Sequence, residues 1–284
     1  MTFSILDAMD DPALFAPHFK GDTWHHWRAF LAALHGLPMD DDALALYRHH
    51  TGRQDAPTAA FSEAALIVGR RGGKSRVLAL LAVWAACFRD YTPFLAPGEV
   101  ATVAVVAADR RQARTIMRYV SGLMNAVPML AGLIADEKAD AIALTNRVQI
   151  EVATASFRVT RGYSFAALIL DEVAFWRSDE TSANPDTEIL QAMRPGMASI
   201  PGAMLLLTSS PYRKRGALFQ AFTRGWAKDN SRALVWRATT LEANPSIDPR
   251  IIEDARIEDA ESASAEYDAE WRSDLSDLLA ACRT

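Results

Sequence analysis

Four side chains stand out for the chemistry their types and spacing allow. Lys74 and Ser75 end the stretch Gly69-Arg-Arg-Gly-Gly-Lys-Ser75, and Asp171 and Glu172 close the apolar run Ala166-Ala-Leu-Ile-Leu-Asp-Glu172. A lysine beside glycine backbone N–H groups can reach the β- and γ-phosphates of a nucleotide, and the serine hydroxyl after it can hold Mg²⁺. Of the two carboxylates, Asp171 is placed to hold the same ion through water and Glu172 to polarise an attacking water. Together they predict hydrolysis of a phosphoanhydride, with ATP and Mg²⁺ as ligands. Gly69, Arg70, Arg71, Gly72, Gly73, Lys74 and Ser75 would form the cradle.

The elements that must position these groups follow from the same stretches. Leu66, Ile67 and Val68 read as the end of a buried strand, and Ser75 to Trp84 as an apolar helix. Strand, glycine turn and helix N-terminus converge free N–H groups and the helix dipole on one point, which favours an anion. The strict pattern G-x-x-x-x-G-K-[ST] would put its first glycine where Val68 stands, so this is a variant Walker A. An ordinary strand-to-helix turn with a lysine reaching for solvent is the alternative. The run ending at Asp171 suits a parallel strand buried on both faces, whose C-terminal end is where ligands sit in open α/β sheets. The alternative there is a strand that merely finishes in solvated acids.

Other residues extend the candidate site. The strand from Ala203 ends in Thr208-Ser209-Ser210-Pro211, whose hydroxyls could sense a γ-phosphate or simply cap a turn. Arg70 and Arg71 lie in the loop itself, and Arg158 and Arg161 precede the second motif. Guanidinium groups stabilise charge on a transferring phosphoryl group, though a surface role suits each arginine equally. Gln54, before the first core strand, could offer an adenine-reading amide or lie in a plain loop.

Composition sets the bounds. Of 284 residues, 50% are hydrophobic and 23% charged, which describes a globular chain with a sizeable core. The longest apolar run, Val77 to Phe88, is too short to span a bilayer, and no signal peptide is visible at the N-terminus. Two cysteines, Cys87 and Cys282, give no metal spacing and no disulfide framework, as expected of a cytoplasmic protein. The net charge of −5 argues against indiscriminate coating of nucleic acid, but charge is uneven. Thr208 to Arg237 holds seven Lys/Arg against one acid, and Ala238 to Thr284 holds twelve acids against four arginines. The first segment could face phosphates or be an ordinary solvated face; the second reads as a solvated amphipathic helix.

In chain order, residues 1–60 read as an N-terminal helical segment. Trp24, Trp27, Phe30, Leu31 and Leu34 form one stripe, with Asp22 or Thr23 as cap, and a second helix runs from Asp41 to about Thr51. All six histidines lie here, and the adjacent pairs His25-His26 and His49-His50 point to different sides of a helix, against a metal site. Residues 61–240 alternate strands and helices, with a hairpin around Thr145-Asn146-Arg147, and predict a mainly parallel sheet covered on both faces. Residues 241–284 read as a linker, Leu241 to Pro249, and a helical tail.

Gly69-Arg-Arg-Gly-Gly-Lys-Ser75, Leu170-Asp-Glu-Val-Ala-Phe-Trp176 and Thr208-Ser-Ser-Pro-Tyr-Arg-Lys-Arg-Gly216, in this order, resemble the ATPase half of the large terminase subunit of tailed bacteriophages. Trp24/Trp27, Gly36-Leu-Pro38, Thr51-Gly-Arg53, Arg161-Gly162 and Asn244-Pro-Ser246 extend the resemblance over residues 20 to 275. It implies an α/β, RecA-like P-loop NTPase of the ASCE type, a three-layer sandwich. It also implies a motor that uses ATP to move double-stranded viral DNA into a procapsid, as a homo-oligomeric ring on the portal protein served by a small terminase subunit. On that resemblance Lys74 and Ser75 bind phosphate and Mg²⁺, Arg70 is the phosphate-loop arginine, Asp171 serves the metal and Glu172 activates water. Thr208, Ser209 and Ser210 fall on the coupling motif, and Arg161, with Arg158 a competitor, would be an arginine finger acting across subunits.

Members of this family usually continue into a ribonuclease-H-type nuclease domain. The sequence given ends where that domain would begin, so no nuclease activity is expected of it; a prophage remnant, a split gene product or an excised domain would each fit. A helicase-like DNA-dependent ATPase and an inactive assembly module are the competing readings. A helicase would need a second RecA-like domain, and the four intact site residues weigh against loss of nucleotide chemistry.

Overall fold

The computed structural model describes residues 3–155, 162–176 and 185–272. Ser4 and Asp7 form a reciprocal capping box that starts α1 (Ile5–Asp10). A 3₁₀ turn, Asp22–Trp24, leads into α2 (His25–His35), followed by α3 (Asp41–Thr51), β1 (Glu63–Val68) and α4 (Lys74–Cys87). Next come β2 (Ala101–Ala107), α5 (Arg110–Ala126), α6 (Pro128–Ala131), β3 (Ile134–Glu137), β4 (Ala141–Leu144), β5 (Val148–Thr154) and β6 (Ser164–Asp171). The chain continues through α7 (Pro185–Met193), β7 (Met204–Ser209), α8 (Gly216–Gly225) and β8 (Ala233–Ala238) to α9 (Thr240–Ala243), α10 (Pro249–Glu258) and α11 (Ala260–Tyr267).

The eight strands form one sheet in the order β3-β4-β5-β2-β6-β7-β1-β8. β2 pairs in parallel with β5 and β6, and β1 with β8, while β3–β4 and β4–β5 are antiparallel. Every residue of β2 is buried, as is all of β6 after Ser164, as a strand covered on both faces requires. β5 instead alternates at its start, burying Val148, Ile150 and Val152.

The described chain divides into two compact units. The first comprises residues 1–19, 75–171 and 176–206. Its core is β2 and β6 with the apolar run of α4 and the Ile116, Met117, Val120 and Met124 face of α5. Trp84 stacks on Phe88 with ring centroids 4.6 Å apart. The second comprises residues 20–74, 172–175 and 207–284. Trp27, Phe30, Tyr47 and Trp236 are its large buried side chains. Arg53 is buried there and donates to the carbonyls of Ser231 and Ala233, so it clamps the approach to β8.

A chain of three rings runs through the second unit. The Trp236 indole donates to His26 Nε2 (3.1 Å), His26 Nδ1 lies 3.2 Å from His50 Nε2, and His50 Nδ1 lies 2.8 Å from the Arg237 carbonyl. Because an indole can only donate, each imidazole must be a neutral Nδ1–H tautomer passing its proton bond onward. Burial, followed by the neighbouring His50, pulls His26 down to about 3, and burial lowers His50.

Several sequence expectations need correction. Asp22 and Thr23 do not cap α2: both lie in the 3₁₀ turn, Trp24 takes the N-cap position, and no side chain bonds there. β3 was not anticipated, because Ile134 is its one large apolar residue and Ala135, Asp136 and Glu137 are all exposed. The acidic tail is two helices rather than one, broken at Asp259, whose carboxylate caps α11. The expected linker also begins inside α9.

Candidate active site

The glycine turn after β1 is shaped by its neighbours within the second unit. Gly73 takes φ +96°, and a Cβ there would stand 3.1 Å from Trp27 Nε1. The same indole donates to the Gly72 carbonyl at 3.1 Å. Gly69 is more tightly enclosed, since a Cβ would lie 2.4 Å from Thr240 Oγ1 and 2.6 Å from the Tyr267 carbonyl. Thr240 Oγ1 donates to the Arg70 carbonyl (2.8 Å) and Asn244 Nδ2 to the Arg71 carbonyl (3.0 Å). The Arg70 N–H donates to the Glu266 carbonyl at 2.5 Å. The loop is therefore gripped by α2, by α9 and the residue after it, and by α11. Arg71, at φ +66°, makes the left-handed corner that the turn requires.

Lys74 is buried and its ammonium donates to the carbonyls of Val68 (2.8 Å) and Gly69 (3.3 Å). It also lies 3.7 Å from Glu172 Oε1, and Ser209 Oγ donates to Glu172 Oε2 at 3.0 Å. Glu172 itself sits at φ +48°, a strained backbone for a non-glycine residue. Lys74, Glu172 and Ser209, far apart in sequence, are thus brought together. Beside Ser209, Thr208 is fully buried and its Oγ1 has no hydrogen-bond partner among the described residues; Ser210 is also buried. Arg70 projects outward and pairs with Glu266 through both carboxylate oxygens, at 2.9 and 3.0 Å. That hydrogen bond, and then the charge of Glu266, raise its pKa further.

In the first unit, Asp171 is 1% exposed at the end of β6. Its Oδ2 accepts from Gln112 Nε2 at 2.8 Å, and its carbonyl accepts from Trp176 Nε1 at 3.0 Å. Ser75, partly exposed, is the first residue of α4 in this unit. A hard carboxylate oxygen and a hydroxyl are ligand types that suit Mg²⁺, so the donor set fits that ion.

Two expected residues stand elsewhere or outside. Gln54 is exposed, and its backbone N–H donates to Asp229 Oδ1 (2.9 Å) while its carbonyl accepts from Arg48, so its main chain serves a loop. Arg158 and Arg161 lie outside the described residues. Within the basic stretch 208–237, Arg237 is tied to Ala269 and Glu270, Lys228 to the Thr223 carbonyl and Arg224 to Gln220. His49, His50 and Glu242 bring three ligand-type atoms within 4.8 Å, but both ring nitrogens of His50 are already hydrogen bonded.

Sequence reasoning assigned no role to Gln112, Thr240 or Glu266, and it used Trp27 and Asn244 only for the core and the family resemblance, not as partners of the loop. It also passed over a cationic groove in the first unit, a cavity of about 670 Å³ lined by Arg110, Arg111, Arg114, Arg118 and Lys138. The spacing of Arg110, Arg114 and Arg118 by four was the available signal, since it sets them along one side of a helix. Arg110, Arg111 and Arg114 pair with no carboxylate among the described residues. Glu137, the one acid lining the groove, accepts from Ser121 and Asn125.

No protein-family model and no curated protein matches the sequence. Solved structures do match in fold. A point mutant of the large terminase ATPase domain of Thermus phage P74-26 superposes with a TM-score of 0.60 at 16% identity, covering 85% of this chain and 98% of that one. The parent domain gives 0.58 at 15%, covering 85% and 97%. The large terminase of bacteriophage HK97 gives 0.55 at 15%, covering 87% of this chain and 55% of that one, so this chain spans about half its length. The chain therefore has the mainly parallel α/β fold of phage large terminase ATPase domains.

Proposed function

We propose that this chain is an ATP-hydrolysing motor domain of the large-terminase kind, acting on double-stranded DNA. The observation that carries the reading is the convergence of Lys74 and Ser209 on the two carboxylate oxygens of Glu172, at the end of a glycine loop. A carboxylate held from both sides is oriented for its task and keeps Lys74 beside it.

In this reading the backbone N–H groups of Gly69 to Gly73 and the Lys74 ammonium hold the β- and γ-phosphates, Arg70 and Arg71 flank them, and Gln54 is a candidate for the base. Ser75 and Asp171 would hold Mg²⁺, which when bound would neutralise charge on the phosphate oxygens. Glu172 accepts the proton of the attacking water. Thr208, Ser209 and Ser210 would sense loss of the γ-phosphate: Ser209 already bonds Glu172, and Thr208, the residue before it, has a hydroxyl with no hydrogen-bond partner among the described residues. Arg161 is proposed as the arginine supplied to a neighbouring subunit in a homo-oligomeric ring, with a portal protein and a small terminase subunit as further partners in the bacterial cytoplasm. The arginine groove on α5 supports a polyanionic partner, since guanidinium forks match phosphate geometry.

The test is steady-state ATP hydrolysis by the purified chain, with and without duplex DNA, beside Lys74→Ala. Turnover that is lost in Lys74→Ala and rises with DNA is expected. Equal turnover in the two proteins would remove the phosphate-site assignment, and indifference to DNA would remove the motor reading.

A further inference from the structure

We propose that Gln112 is a positioning residue that fixes the Asp171 carboxylate for holding Mg²⁺; the inference rests on the metal-binding reading of Asp171 given above. β2 and β6 are parallel neighbours, with Val106 in register with Leu170, so the chain leaving β2 and the carboxylate ending β6 emerge at the same edge of the sheet. The chain leaving β2 turns at once into α5. Asp109 caps that helix, accepting from the N–H groups of Arg111 (2.8 Å) and Gln112 (2.9 Å). The cap locks the first turn of α5 and with it the backbone from which Gln112 reaches Asp171.

The contact has the chemistry a metal carboxylate needs. The bond from a terminal carboxylate to its Cβ is a soft, two-fold torsion, so an unsupported Asp171 would swing its oxygens. Gln112 Nε2, 2.8 Å from Oδ2, selects one setting. The donor is neutral, so the carboxylate keeps its full charge for a cation, which a lysine or arginine at 112 would compete for. Trp176 holds the Asp171 carbonyl at 3.0 Å, so the residue is steadied at main chain and side chain by two neutral N–H groups. Outer partners of this kind typically carry about 10- to 100-fold in metal affinity.

The experiment titrates Mg²⁺ against binding of a fluorescent ATP analogue to the full chain, with a parallel measurement in EDTA. The variants are Gln112→Ala, Gln112→Met and Asp171→Asn. Methionine matches glutamine in length and lacks the N–H. Both Gln112 variants should raise the Mg²⁺ midpoint about 10-fold or more, while affinity in EDTA stays within about two-fold of the parent, because only the metal-dependent part of binding is touched. A midpoint restored in Gln112→Met would assign the effect to packing and overturn the proposal. So would an equal loss of affinity in EDTA. A shift in Asp171→Asn without one at Gln112 would overturn the role of Gln112 and leave Asp171 standing. No shift in Asp171→Asn would instead remove the reading on which the proposal rests.

Discussion

Glu172 occupies a left-handed backbone conformation, φ +48°, that costs a non-glycine residue on the order of 1 to 3 kcal/mol. That cost is tolerated in a residue whose two oxygens are both engaged, by Lys74 and Ser209. As the proposed general base it should be separable from binding. Glu172→Gln keeps the shape and the bond to Ser209 but loses basicity, so turnover should fall by about 10²-fold or more while nucleotide still binds. Phosphate release and nucleotide binding measured on the same preparation decide this; unchanged turnover would sink the assignment. The sequence made Lys74, Asp171 and Glu172 legible because their spacing from strand and turn is local. It left Gln112 unassigned and missed the bond from Trp27 to the loop because their partners, Asp171 and Gly72, are set by sheet order and by the packing of α2, which local pattern does not encode.

Among the elements, α9 has an effect larger than its four residues. Thr239 and Glu242 close a capping box around it, and this holds Thr240 against the glycine loop. Burial pushes the Glu242 carboxyl up, but bonds from the Thr239 N–H and from His49 outweigh it and leave the group at about 2. Thr240→Val keeps the volume and removes the bond to Arg70. It should cost about 1 kcal/mol in urea unfolding and weaken nucleotide binding through a looser loop; full affinity would show that α9 is only a lid on the fold. On α5, reversing Arg110, Arg114 and Arg118 to glutamate should abolish DNA stimulation and flatten the salt dependence of DNA binding while basal hydrolysis persists. Undiminished stimulation would exclude that groove. The strong elements were readable from their periodicity, as with α5, whose buried Ile116, Met117, Val120 and Met124 recur at helical spacing. β3 was not, having a single large apolar residue, Ile134, to declare it.

At the scale of the whole chain, no described helix is long and apolar enough to cross a membrane. Stability should carry the signature of the buried histidines. His26 has its pKa depressed to about 3 in the folded state against 6.5 in the unfolded chain, so the unfolded chain binds the proton first. Stability is then intact above pH 6.5 and falls as pH drops toward 3, by at most about 1.4 kcal/mol per pH unit for this group. His50 adds to the same direction. Urea midpoints between pH 7 and 5, a window above the carboxylate range, should decline in the parent and decline less steeply in His26→Gln. An unaltered slope in that variant would place the proton uptake elsewhere.

The grip on the glycine loop has a consequence for how the protein is made. Arg70 and Arg71 are bonded by Thr240, Asn244 and Glu266, partners that lie 170, 173 and 196 residues away in sequence. Closing such long spans is entropically slow, and synthesis proceeds at about 5 to 20 residues per second. A ribosome that has already delivered the whole lysine-bearing loop must work for roughly ten seconds or more before the residues that clasp it emerge. Throughout that interval the nascent chain holds the loop sequence without the partners that fix its shape.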